Sequence, residues 1–180
     1  MLRRKMWLAA LLVSGTASAA YTDLSVPLIG QEYDQWCHAA SIDMIATYWG
    51  ESYWTQCDIV KREFGGTTCP NSPTASIGQT CTGLQSMGYA CSVAYSPLSF
   101  SDAYINVYRN GWPFIPRIGW TSGGGHLMVI RAVDDSGPQY VRYNNPLPVG
   151  SGGVSSWVTY AYFQSNSSWN WTHTVWNIHK

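Results

Sequence analysis

Four residues of this 180-residue chain, Gln31, Cys37, His126 and Asn145, have types and positions suited to acyl transfer through a thiol. Cys37 stands at the start of the run Trp36 to Trp49, apolar on nearly all sides and stopped by Gly50, which reads as a buried helix. Unpaired backbone N–H groups and the helix dipole favour a thiolate at such a helix start, so a lowered thiol pKa is expected. The nucleophile then needs a base. His38 is its neighbour on the same helix and points about 100° away at 3.6 residues per turn. His173 and His179 fall in or near the terminal strand and have only a surface or edge reading.

His126 has a better context, because it follows Gly123-Gly124-Gly125 and opens an apolar strand, Leu127 to Val133. That strand turns through Asp134-Asp135-Ser136-Gly137 and returns as Tyr140 to Asn144. A four-residue loop pairs Val133 with Pro138 and, counted outward, sets His126 opposite Asn145. Opposed residues share a face with Cβ atoms about 5 Å apart, so the Asn145 amide could orient the imidazole. A slip of one residue substitutes Asn144 or places the partner on the wrong face. Gln31, six residues before Cys37, could donate its amide N–H to an oxyanion together with the Cys37 backbone N–H. Gln35 competes for that role from the edge of the helix.

Composition narrows the function classes. Charged residues make up 11% of the chain and balance at 10 basic against 10 acidic, while aromatics reach 14% with 10 Trp and 12 Tyr. This is not a disordered composition, and without a basic stripe no nucleic-acid partner is expected. Arg3, Arg4 and Lys5, the apolar stretch Met6 to Val13 and then Ala17-Ser18-Ala19 read as a secretory signal peptide over residues 1–19. The domain would be residues 20–180, secreted or periplasmic, with 7 basic against 10 acidic residues and no expected membrane span.

Five cysteines in an exported chain leave one thiol over. Cys57, Cys69, Cys81 and Cys91 cluster in a loop-rich stretch and read as two disulfides whose pairing is open, which leaves Cys37 free. No metal-ligand spacing is present and no cofactor is expected. Further helices are expected at Thr55 to Phe64, near Thr82 to Met87, and at Ser99 to Asn110. Strands are expected at Pro113 to Trp120, Leu127 to Val133, Tyr140 to Asn144 and Trp169 to Ile178. Helices first and strands second imply an α+β fold, a helical part packed on a C-terminal antiparallel sheet.

The segments QEYDQWCHAA (31–40), GGGHLMV (123–129) and NNPLPVGSG (144–152) resemble the papain-like cysteine peptidases, most closely the compact bacterial group related to the bacteriocin-leader-processing peptidases. The resemblance spans most of the chain after residue 20. It implies a papain-like fold with Cys37 as nucleophile, His126 as general base and acid, Asn145 orienting His126, and Gln31 in the oxyanion hole. His126 and Asn145 follow Cys37 by 89 and 108 residues, closer than in papain-type enzymes, and His38 replaces the aromatic that follows the nucleophile in papain relatives. A ring shielding the His126–Asn145 hydrogen bond is also implied, for which Trp157 is the choice; Trp157 and Trp120 are the candidate substrate-binding aromatics.

The implied activity is a secreted thiol endopeptidase acting on a protein or peptide substrate. With about eleven residues between the signal segment and Gln31, no folded propeptide is expected. Control would fall to oxidation of the four clustered cysteines after export or to a separate inhibitor protein. Two other readings use the same sequence: a transglutaminase- or amidase-type acyl transferase with the same triad, and a non-catalytic, disulfide-stapled binding module that works through its aromatics.

Overall fold

A computed structural model describes residues 21–72 and 74–180, so the signal segment read over 1–19 lies outside the described residues. The helix expected around Cys37 is α1 (Cys37–Tyr48), buried along ten of its residues. Next comes α2 (Gln56–Phe64), whose Thr55 side chain accepts the Asp58 N–H at the start and whose Gly65, at φ 66°, closes the end in the left-handed region. The third helix, α3 (Ile77–Ser86), begins five residues before the expected Thr82, because Ser76 and Gln79 form a reciprocal capping box. Helix α4 (Phe100–Tyr104) continues through a π-helical turn at Ile105–Arg109.

Among the described residues, eight strands divide between two antiparallel sheets. These are β1 (Tyr21–Asp23), β2 (Ala90–Ala94), β3 (Ile115–Trp120), β4 (Gly125–Leu127), β5 (Val129–Asp134), β6 (Tyr140–Asn145), β7 (Val154–Thr159) and β8 (Trp169–His179), with the short helix α5 (Tyr160–Gln164) between the last two. One sheet has the order β1-β5-β6-β7 and the other β2-β8-β3-β4. The α+β architecture is as read from the sequence, with strands β1 and β2 also present among or before the helices.

The run expected as one strand from Leu127 to Val133 breaks at Met128. Before it, β4 pairs with β3, setting His126 opposite Ile118; after it, β5 pairs with β6, setting Val129 opposite Asn144. The expected hairpin register is therefore corrected. Asp134 pairs with Tyr140 and Val133 with Val141, not Pro138, and the ladder shifts between Ile130 and Ala132. That shift sets His126 off the β5–β6 register, while its own segment stays along β3 through Met128 N–H to Pro116 O at 3.2 Å and the Phe114–Ile130 bridge.

Two apolar clusters hold the layers. Ile42, Ile45, Ile59, Val60 and Leu84 of the helices pack on Ile115, Leu127, Val175 and Ile178. Ile118, Met128, Ile130, Val141, Phe163 and Trp171 form the second cluster, which joins the two sheets. The disulfides are Cys57–Cys69 and Cys81–Cys91, and Cys37 is free, as the odd count implied.

Candidate active site

Cys37 is the first residue of α1 and is 5% exposed. Its helix start has no side-chain cap, so the first-turn N–H groups stay directed at the site. Backbone amides of Leu127, His38 and Cys37 itself favour the thiolate, and Glu63 disfavours it. Burial outweighs them and pushes the Cys37 thiol up to about 11, correcting the expectation of a lowered pKa. Desolvation of the buried thiol is the larger effect, and the helix N-terminus offsets only part of it.

His126 is 4% exposed, and burial holds its pKa below the ordinary 6.5. Its Nε2 lies 2.7 Å from Asn145 Oδ1, and that same oxygen accepts the Leu147 N–H at 3.0 Å. An atom accepting a backbone N–H is the amide oxygen, so Nε2 carries the imidazole proton and Nδ1 presents a lone pair. Leu127, the residue after His126, packs in the same apolar cluster as Cys37. Thiol and imidazole are both neutral in this arrangement, and among the described residues no hydrogen bond yet joins them.

Asn144, the alternative third residue, uses its amide N–H groups elsewhere, and its Oδ1 is buried without a partner among the described residues. Its Nδ2 donates to the carbonyls of Val26 and Pro27 at 3.3 and 3.1 Å, anchoring the segment that leads to Gln31. Asn145 and His126 thus meet as the sequence suggested, but not as a directly opposed cross-strand pair.

Gln31 is 1% exposed and tied into the same rim, its N–H donating to Pro146 O at 3.0 Å and its O accepting from Gly150 N–H at 3.1 Å. The amide itself is turned inward. Nε2 donates to Tyr33 O at 2.8 Å and Asp34 O at 3.0 Å, so both of its hydrogens are used, while Oε1 is buried without a partner. Gln35 donates its backbone N–H to Asn71 Oδ1 and is exposed, away from an oxyanion role. The ring over the imidazole is Trp120, stacked on His126 at 5.8 Å and 20°. Trp157 instead lies on β7, 38% exposed, and stacks on Tyr21, so it does not supply that shield.

Three features went unread in the sequence. His38 Nδ1 meets Glu63 Oε2 at 2.5 Å in a buried pair between α1 and α2, and Gly83 leaves the space that Glu63 fills, since a Cβ there would come within 2.5 Å of its Cγ. Gln56 brackets Gln31, accepting Glu32 N–H at 3.0 Å and donating to Gly30 O at 2.8 Å. Two residues of the loop after Cys69 brace the approach to Cys37: Pro70 O accepts Trp36 Nε1–H, and the Thr74 hydroxyl donates to Gln35 O. Only the glycines and the helix-capping pattern could have hinted at these contacts.

The profile of the Peptidase_C39 like family matches residues 23–176. No curated protein matches the chain. Among solved structures, the chain is similar to the peptidase domain of Streptococcus ComA, a bi-functional ABC transporter involved in a quorum sensing pathway, with TM-score 0.60 and 15% identity over 84% of this chain and 96% of that one. It is also similar to a double glycine motif protease from an AMS/PCAT transporter in complex with the leader peptide, with TM-score 0.53 and 18% identity over 85% of this chain and 91% of that one. The structural likenesses establish the papain-like fold, and the profile match across most of the chain assigns it: the chain belongs to the Peptidase_C39 like family and is a cysteine peptidase.

Proposed function

We propose that the chain is an exported thiol endopeptidase that cleaves peptides through a thioester on Cys37, with His126 as base and acid. The observation that carries this reading is the His126 Nε2 to Asn145 Oδ1 contact at 2.7 Å, which leaves Nδ1 free to take a proton. Peptide binding brings thiol and imidazole together, and the Cys37 S–H proton passes to His126 Nδ1 as sulfur attacks the carbonyl carbon. The oxyanion takes the Cys37 backbone N–H and, on release of the longer Asp34 contact, one N–H of Gln31 Nε2. Collapse breaks the C–N bond, and His126 hands its proton to the departing amine. Water then adds to the thioester, giving its proton to His126, and the thiol leaves with that proton restored.

Two disulfides support an oxidising compartment. A peptide substrate is favoured by the leader peptide held by the AMS/PCAT neighbour. The test is incubation of the oxidised chain with a proteome-derived peptide mixture, with new termini and any Cys37 adduct mapped by mass spectrometry. New termini with wild type and none with Cys37→Ala are expected. Acyl transfer to added amines in place of hydrolysis would favour the transferase reading, and an inert Cys37 would sink both.

A further inference from the structure

A cavity of about 630 Å³ adjoins the active site, lined by Thr74, the first turn of α3, Tyr95, Arg117 and His173. One wall touches the nucleophile's segment, since the Thr74 hydroxyl donates to the carbonyl of Gln35, two residues before Cys37. The opposite wall touches the base's strand. The Arg117 guanidinium lies directly on Gly125, the residue before His126, where a Cβ would come within 2.3 Å of its Nη2. Glycine at 125 is therefore required to seat this cation beside the catalytic strand.

The charge in the cavity has one sign. Arg117 donates to the Thr172 hydroxyl at 3.0 Å, and among the described residues no carboxylate pairs with it. Among the described residues no Asp or Glu lines the cavity. His173, paired with Arg117 across β3 and β8, adds an imidazole N–H donor rather than a second charge, since burial and the Arg117 charge lower its pKa. The first turn of α3 faces the same space with the positive end of its dipole. A half-buried arginine kept without an acid beside a catalytic histidine is suited to a planar, doubly accepting anion.

We propose that this cavity is a substrate subsite for a carboxylate flanking the scissile bond, with Arg117 as its specificity-determining residue. The carboxylate comes from an acidic side chain of the peptide or from its chain end. The proposal rests on the peptidase reading for its biological sense, but binding can be measured without catalysis. The oxidised chain carrying Cys37→Ala is immobilised and offered two random octapeptide libraries: one acetylated and amidated, so that only side chains carry carboxylates, and one acetylated with a free carboxyl end.

In the first library, retained peptides should favour Glu over Gln and Asp over Asn by about fivefold or more if a side chain is the source. In the second, free-ended peptides should outcompete amidated ones if the chain end is the source. Added Arg117→Gln should erase the preference, and Arg117→Lys should keep part of it, which separates lost charge from lost fold. No preference in either library, or one that survives Arg117→Gln, overturns the proposal. Failure of the native chain to hydrolyse the retained peptides would count against the peptidase reading alone.

Discussion

His126 Nε2 and Asn145 Oδ1 stand 2.7 Å apart although their strands belong to different sheets. The amide therefore sets the imidazole's tautomer and its ring plane from outside the strand that carries it. Asn145→Ala should lower kcat by about 10²-fold through misorientation of the base, read in steady-state hydrolysis at a temperature where the variant is folded. Asn144→Ala should act differently, because its amide holds the Val26 and Pro27 carbonyls. A loss of about 1–3 kcal/mol in urea unfolding, with kcat per folded molecule nearly unchanged, is expected there.

The directions of the two pKa shifts predict a pH profile. His126 is neutral in the fold until the pH falls below 6.5, and Cys37 is held as a thiol by burial. The activity should therefore have its acid limb below pH 6.5, where His126 gains a proton and can no longer act as base. Iodoacetamide labelling of the substrate-free enzyme should keep rising above pH 8.5; a plateau reached below pH 6 would mean a preformed ion pair and contradict the neutral pair. Stability follows the same sign. The unfolded chain binds a proton on this histidine from pH 6.5 downward while the folded chain resists, so its contribution is lost as the pH falls through that window.

Gln31 must give up a carbonyl contact to serve the oxyanion. Gln31→Ala should lower kcat and kcat/KM together by about 10²-fold, since the lost interaction exists only in the transition state. A rise in KM with kcat preserved would instead assign Gln31 to ground-state binding.

The two disulfides should separate in their effects. Cys57–Cys69 ties α2, which carries Gln56, to the loop whose Pro70 and Thr74 brace Trp36 and Gln35. Cys81–Cys91 joins α3 to β2, away from that segment. Replacing either pair by serines should cost about 2–4 kcal/mol in unfolding. Only loss of Cys57–Cys69 should also lower kcat/KM, by about tenfold, in protein that circular dichroism shows to be folded.

Three residues of the proposed catalytic set stood out in the sequence because each sits beside a local signal: a glycine-stopped helix for Cys37, three glycines before His126, and an Asn before proline for Asn145. Helices α1 and α2 were legible for the same reason. The splice at Met128 was not, since Leu127 to Val133 is an unbroken apolar run with nothing to mark where pairing with β6 joins pairing with β3. Strand β7 escaped because Ser155-Ser156 and the preceding glycines read as loop, although pairing with β6 orders them. The inward turn of the Gln31 amide and the seat of Arg117 on Gly125 depend on packing between distant segments, which no local pattern encodes.

Met128, 1% exposed, packs in the cluster that joins the two sheets, and its N–H donates to Pro116 O at 3.2 Å. One length of chain, residues 125–130, thus belongs to both sheets at once: its first half carries the imidazole and its last residues pair with the strand that ends in Asn145. A side chain that never approaches the substrate sits at this splice, and repacking it should detune the proposed catalysis while every reacting group keeps its place on its own strand.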